Sequence, residues 1–219
     1  TGPLRHSRAM STQRYDVGHV VERFSLLIIV ALGETIVSIA TPQAELEYLT
    51  WADLGGLVAA FIIVGGLWWA YFHHSLGLME HYINRARVPF RAVRSLLAYG
   101  HLALVAGLIA LAAGLHHVME EPRDHVPMET SALLCSGVIV FLAMFAVIRL
   151  RNAHRIYRSR VVACALCLAL IPAGPHLSGM LLVGLLALIT VTECLWETLA
   201  PAAAGVPDLD ELAERAARA

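Results

Sequence analysis

Apolar residues in this chain fall in unbroken blocks about as long as a bilayer is thick, and this constrains the fold more than any motif does. The first block, residues 16–41, reads DVGHVVERFSLLIIVALGETIVSIAT, with Glu22 and Arg23 near its start and Glu34 deep inside it. About 20 predominantly apolar residues suffice for a helix to cross the hydrocarbon. An ionisable group in such a helix is costly, so it is kept where it faces protein or water and marks a functional route. Glu34 is therefore the first residue to explain.

Composition points to the same class. The 219 residues are 58% hydrophobic and 15% charged, with a mean hydropathy of +0.67, whereas soluble domains carry about 25% charged residues. The net charge of −1 leaves no basic surface once loop arginines are assigned to topology, so nucleic acid is excluded as a partner. Cys135, Cys164, Cys167 and Cys194 all sit in apolar segments and read as reduced, buried small hydrophobes. Cys164 and Cys167 form a lone C-x-x-C without the second ligand pair that a structural zinc needs. The chain opens at Thr1 with neither an initiator Met nor a signal-peptide pattern, so we expect a missing N-terminal half of the same protein as a partner.

Six spans are predicted, over residues 19–41, 51–74, 92–117, 130–148, 161–171 and 176–199. Residues 1–15 form a basic segment, 16–200 the membrane domain, and 201–219 a linker with a short helix. Residues 75–91 mix Leu76, Met79, Tyr82 and Ile83 with Arg85, Arg87 and Arg91, the pattern of a surface helix or of a basic loop. Gly100, Gly107 and Gly114 recur every seven residues, a seam along which a neighbouring helix can approach closely. Arginines crowd the N-terminal segment, the second loop and the fourth loop, while the first, third and fifth loops hold one between them. Under the positive-inside rule this predicts an all-α, polytopic bundle of six transmembrane helices in the cell membrane, with both termini cytoplasmic.

With that topology each polar residue acquires a depth. Glu34 lies about 22 Å along the first span from His19, and about 16 Å from Arg23 on the same face. His19, Glu22 and Arg23 share one face at the start of that span. Glu193 and Glu197, one turn apart on the descending sixth span, reach the level of Arg23. We expect Arg23 to pair with one of them, as a lock or as a simple pin between helices, because a guanidinium at that depth requires a partner. Glu34 has no Arg at its level, and His101 and His116 on the third span are its candidate neighbours. A Glu and a His facing each other could pass a proton or bind a cation; a Glu held by a hydroxyl or a carbonyl would be a packing element instead.

Two further histidine groups, His73, His74 and His81 near Glu80, and His116, His117 and His125, lie at opposite ends of the spans. They are separated by about the 30 Å of the bilayer core and cannot form one metal site. No Ser-His-Asp order, phosphate-cradling glycine loop or nucleotide motif is present, so no cofactor and no metal is expected.

His19, Glu22, Arg23 and Phe24 spell H-x-x-E-R-F, and Ile28, Ala31, Leu32, Gly33, Glu34 and Thr35 spell I-x-x-A-L-G-E-T. With W-W-x-Y-F at Trp68 to Phe72 and Y-G-H…A-A-G-L-H-H between Tyr99 and His117, the chain resembles the bacterial low temperature requirement protein A (LtrA) family over most of its length. The resemblance implies a multi-span bacterial inner-membrane protein roughly twice as long, whose front half carries an acidic, aromatic motif absent here. It does not specify a reaction.

Three functions fit these residues. The leading one is a membrane protein that binds or transports a proton, cation or small solute at Glu34 with His101, locked by Arg23 with Glu193 or Glu197. The second is an intramembrane enzyme acting on a lipid or isoprenoid, with Glu34 as general acid and the Trp68 cluster lining a pocket. The third is a structural or regulatory membrane component. A homo-oligomer is compatible with all three.

Overall fold

The computed structural model describes residues 17–44, 46–73, 75–84, 93–153 and 158–201. The basic segment 1–15 and the expected C-terminal helix after residue 207 lie outside the described residues. Seven α-helices form the described chain: α1 (Val17–Ala44), α2 (Trp51–Phe72), α3 (Leu76–Asn84), α4 (Gly100–Glu120), α5 (Met128–Ala153), α6 (Arg158–Ala173) and α7 (Gly179–Leu199). A π-helical stretch, Val93–Tyr99, runs directly into α4. Six helical segments, all but α3, are long and apolar enough to cross a membrane. Among the described residues the extended backbone amounts to one isolated bridge, His125 with Ser178.

Local chemistry sets several helix ends. Thr50 caps α2: its hydroxyl accepts from the Asp53 N–H while the Asp53 carboxylate accepts from the Thr50 N–H at 2.7 Å, the reciprocal pair of a capping box. Pro42, expected to stop the first span, lies inside α1, which continues to Ala44. A proline has no N–H to give the carbonyl four residues back, here that of Ser38. The Nδ1 of His116 on α4 donates to that carbonyl at 3.1 Å, so the helix is completed from outside.

The spans close into a ring in the order α1, α2, α7, α6, α5, α4 and back to α1, with α4 also touching α2 and α7 across the middle. The core runs through Ile28, Ile63, Leu67, Tyr71, Leu108, Leu111, Phe141 and Leu186. The glycine seam of α4 lies against α5. A Cβ added at Gly107 would stand 2.9 Å from the Gly137 carbonyl oxygen, and one at Gly137 would stand 2.7 Å from that of Gly107. Those are backbone contacts that no side chain can relieve, which is why small residues hold this crossing. Residues 75–91 divide: α3 packs on α1 with Met79 and Ile83 buried, and 85–92 lie outside the described residues.

The fifth span differs most from expectation. It begins at Arg158 rather than near residue 161 and carries Ser159 and Arg160 into the bundle. Leu in place of Gly137 should separate α4 from α5; we expect a loss of roughly 2 kcal/mol or more in unfolding stability in lipid or detergent, by analogy with overpacked cores. Leu at Gly65, where a Cβ would meet nothing within 4 Å, should be close to neutral in the same measurement.

Candidate functional site

Arg160 is the largest fully buried side chain of the described residues, and the site is built around it. Its Nε and Nη2 donate to the two oxygens of Glu197 at 2.8 and 2.9 Å, a bidentate fork. Nη1 donates to the Ser75 hydroxyl at 3.1 Å and Nη2 to the Ala70 carbonyl at 3.3 Å. The Phe145 ring covers one face of the guanidinium, 5.0 Å from its carbon. Arg160 thereby joins α6 to α7, to α5 and to the C-terminal end of α2.

Each partner suits its charge. Ala70 lies in the last turn of α2, where carbonyls lack intrahelical partners and a cation is favoured by the helix dipole. Glu197 meets the first turn of α6, where an anion is favoured, and also accepts from the Ser159 hydroxyl at 2.8 Å. Glu193, one turn earlier on α7, places Oε1 3.4 Å from Arg160 Nε without making a hydrogen bond to it. Its Oε2 accepts from the Cys194 thiol at 3.4 Å. Glu193 is 2% exposed and Glu197 0%, so one guanidinium faces two carboxyl groups out of water.

A second buried pair adjoins this cluster through Tyr71, whose ring packs edge-on against Phe145 at 5.9 Å. The Tyr71 hydroxyl lies 2.7 Å from Nε2 of His101, and Nδ1 of His101 lies 2.9 Å from the Leu97 carbonyl. A carbonyl only accepts, so Nδ1 carries the hydrogen and Nε2 accepts from the tyrosine. His101 is 0% exposed and packs against Phe24 of α1, the rings tilted by 55° with centroids 5.1 Å apart.

The residues singled out from the sequence separate into two sets. Glu193, Glu197 and His101 are buried, whereas His19, Glu22, Arg23 and Glu34 are exposed on α1. The expected partner of the α7 carboxylates was Arg23; the partner found is Arg160. The expected meeting of Glu34 with His101 is replaced by Phe24 against His101, and Glu34 stands about 15 Å further along α1. His116 does reach α1 one turn from Glu34, but its Nδ1 is committed to Ser38. His19 stays beside Glu22, 3.5 Å away, on the exposed face.

Arg160, Ser159, Ser75 and Tyr71 did not stand out in the sequence. One signal could have found Arg160: two glutamates a turn apart in a span demand a cation at their level, and the span adjoining in sequence begins with one. Among the described residues no group of three or more His, Cys, Asp or Glu side chains could hold a metal ion.

A ring of six apolar helices enclosing a charged side-chain cluster defines an integral membrane protein of the multi-pass type. The chain belongs to the bacterial low temperature requirement A protein (LtrA) family, whose profile matches residues 2–194. It is 26% identical over 201 residues to an uncharacterized protein of Rhizobium meliloti (strain 1021), an alignment that takes in 90% of this chain. The chain spans 48% of that relative's length. No solved structure matches it.

The bond from His116 to Ser38 generates a test of the local chemistry. Pro42→Ala restores an N–H to the Ser38 carbonyl, so His116→Ala should cost about 1 kcal/mol beside Pro42 and much less beside Ala, measured as unfolding stability in detergent. Equal losses in the two backgrounds would contradict that role for His116.

Proposed function

We propose that this LtrA-family protein binds or moves a small cation, protons included, through the buried cluster of Arg160, Glu193 and Glu197. The observation that carries the reading is the charge count. Among the described residues, one guanidinium against two carboxylates leaves a negative charge uncompensated in an apolar bundle, where an unpaired charge is expensive. A bound positive charge resolves that imbalance, and its arrival and departure would be the working step. The Tyr71–His101 pair adjoins the cluster across the Phe145 ring and is a second buried polar contact, made toward α4. The intramembrane Glu/His site read from the sequence thus moves from Glu34 to Glu193, Glu197 and His101.

The cluster sits where α6 begins and α7 ends, the end of the bundle that carries the arginine-rich connectors in sequence. Under the positive-inside rule we place that end in the cytoplasm. The lipid-enzyme reading finds less support. An apolar groove of about 310 Å³ does run between α1 and α2, but Ile36, Ile39, Ala40, Leu57, Val58, Phe61 and Ile62 line it, and none can act as acid or base. Trp68 and Trp69 are exposed and packed on each other, as boundary anchors would be.

The test is reconstitution of the protein into vesicles containing a pH-sensitive dye, with Na⁺ or K⁺ gradients in parallel arms. Glu193→Gln should slow cation or proton flux at least about tenfold, equivalent to about 1.4 kcal/mol on the barrier, while Glu34→Gln should leave it near that of the unaltered protein. Identical traces for the unaltered protein and Glu193→Gln would remove the reading.

A further inference from the structure

We propose that the cation taken by this cluster is a proton, and that Glu193 is the carboxyl that takes it. The inference rests on the binding reading above and names its ligand. The two carboxyl groups differ in what already holds them. Glu197 accepts three hydrogen bonds, from Arg160 Nε, Arg160 Nη2 and the Ser159 hydroxyl, and its charge is matched by the guanidinium. Glu193 keeps one buried oxygen, Oε1, without a hydrogen-bond partner. Such an orphaned buried acceptor is costly, and a proton on the carboxyl turns it into a donor.

The acceptor for that donor is in place. Glu193 and Glu197 stand one turn apart on α7 and each turns its Oε1 to the same Arg160 Nε, at 3.4 and 2.8 Å, so the two carboxyl groups are neighbours. The step balances simply: a proton from the aqueous side adds to the Glu193 carboxylate, giving a carboxylic acid whose O–H points to Glu197. The cluster charge passes from −1 to zero. Arg160 remains paired with Glu197 throughout and acts as a positioning residue.

The surroundings favour a proton over a metal ion. A metal beside Oε1 would sit against a guanidinium nitrogen that is already 3.4 Å away, and two like charges at that range repel strongly outside water. A proton becomes part of the carboxyl and needs no coordination shell. Arg160 and Cys164 from α6 and Glu197 and Cys194 from α7 interact with Glu193, while Ser75 and the Ala70 carbonyl at the end of α2 and the Phe145 ring of α5 hold the Arg160 guanidinium beside it. Arg160 is the fixed positive charge in that set.

The test is infrared difference spectroscopy of the protein in lipid vesicles, titrated from acidic to alkaline buffer in H₂O and in D₂O. We expect a protonated-carboxyl C=O band, shifted by deuterium, that corresponds to one proton per chain. Glu193→Gln should abolish the band, Glu193→Asp should keep it with a displaced midpoint, and Glu34→Gln should leave it unchanged. Circular dichroism confirms that each variant keeps its helices. A band that survives in folded Glu193→Gln, or no deuterium-sensitive carboxyl band at any pH, would overturn the proposal. Since no flux is read, a band that survives in folded Glu193→Gln rejects only the assignment to Glu193, whereas a band lost in Glu193→Gln together with unchanged flux in that variant rejects only the functional reading.

Discussion

The structure depends on one ion pair held out of water, Arg160 to Glu197. Desolvating two charges costs several kcal/mol each, and close geometry with full hydrogen bonding offsets that cost. Both conditions are met here by the backbone. The last turn of α2 offers a carbonyl to the cation, the first turn of α6 offers its dipole and Ser159 to the anion, and the bidentate fork joins them. Four of the six spans contribute to this one contact. Glu193 then sits beside a pair that is already complete, and among the described residues its own charge has no equivalent match.

Much of the fold was legible in the sequence because bilayer thickness is a strong ruler. The apolar blocks, their number and the α4 glycine seam correspond to the helices found, since those features depend on length and side-chain size alone. The ends of the first and fifth spans were less legible. Pro42 reads as a terminator, but a histidine seventy-four residues away satisfies the carbonyl it leaves open. Arg160 reads as one of a run of loop arginines, and nothing local separates it from Arg158, which is exposed.

The candidate site was legible in part, and the failure has a physical cause. In a soluble helix the apolar stripe marks the inner face, but a span that is apolar all round gives no such contrast. Val21, Ser25, Ile28, Leu32, Thr35, Ile39 and Gln43 form the buried stripe of α1, which puts Glu34, Val30 and Arg23 on the opposite side. Depth was readable from the sequence and facing was not. Glu193 and Glu197 could be read from the sequence as neighbours because a pair one turn apart must share a face whatever that face is.

A double-mutant cycle on Arg160→Met and Glu197→Gln, read as unfolding free energy in lipid, tests the central claim most directly. Each single change leaves a buried group unmatched and should cost about 3–5 kcal/mol. The double variant should lose far less than the sum, with a coupling of about 2 kcal/mol or more. Additive losses, or coupling of Glu197 to Arg23→Met in place of Arg160→Met, would contradict the account.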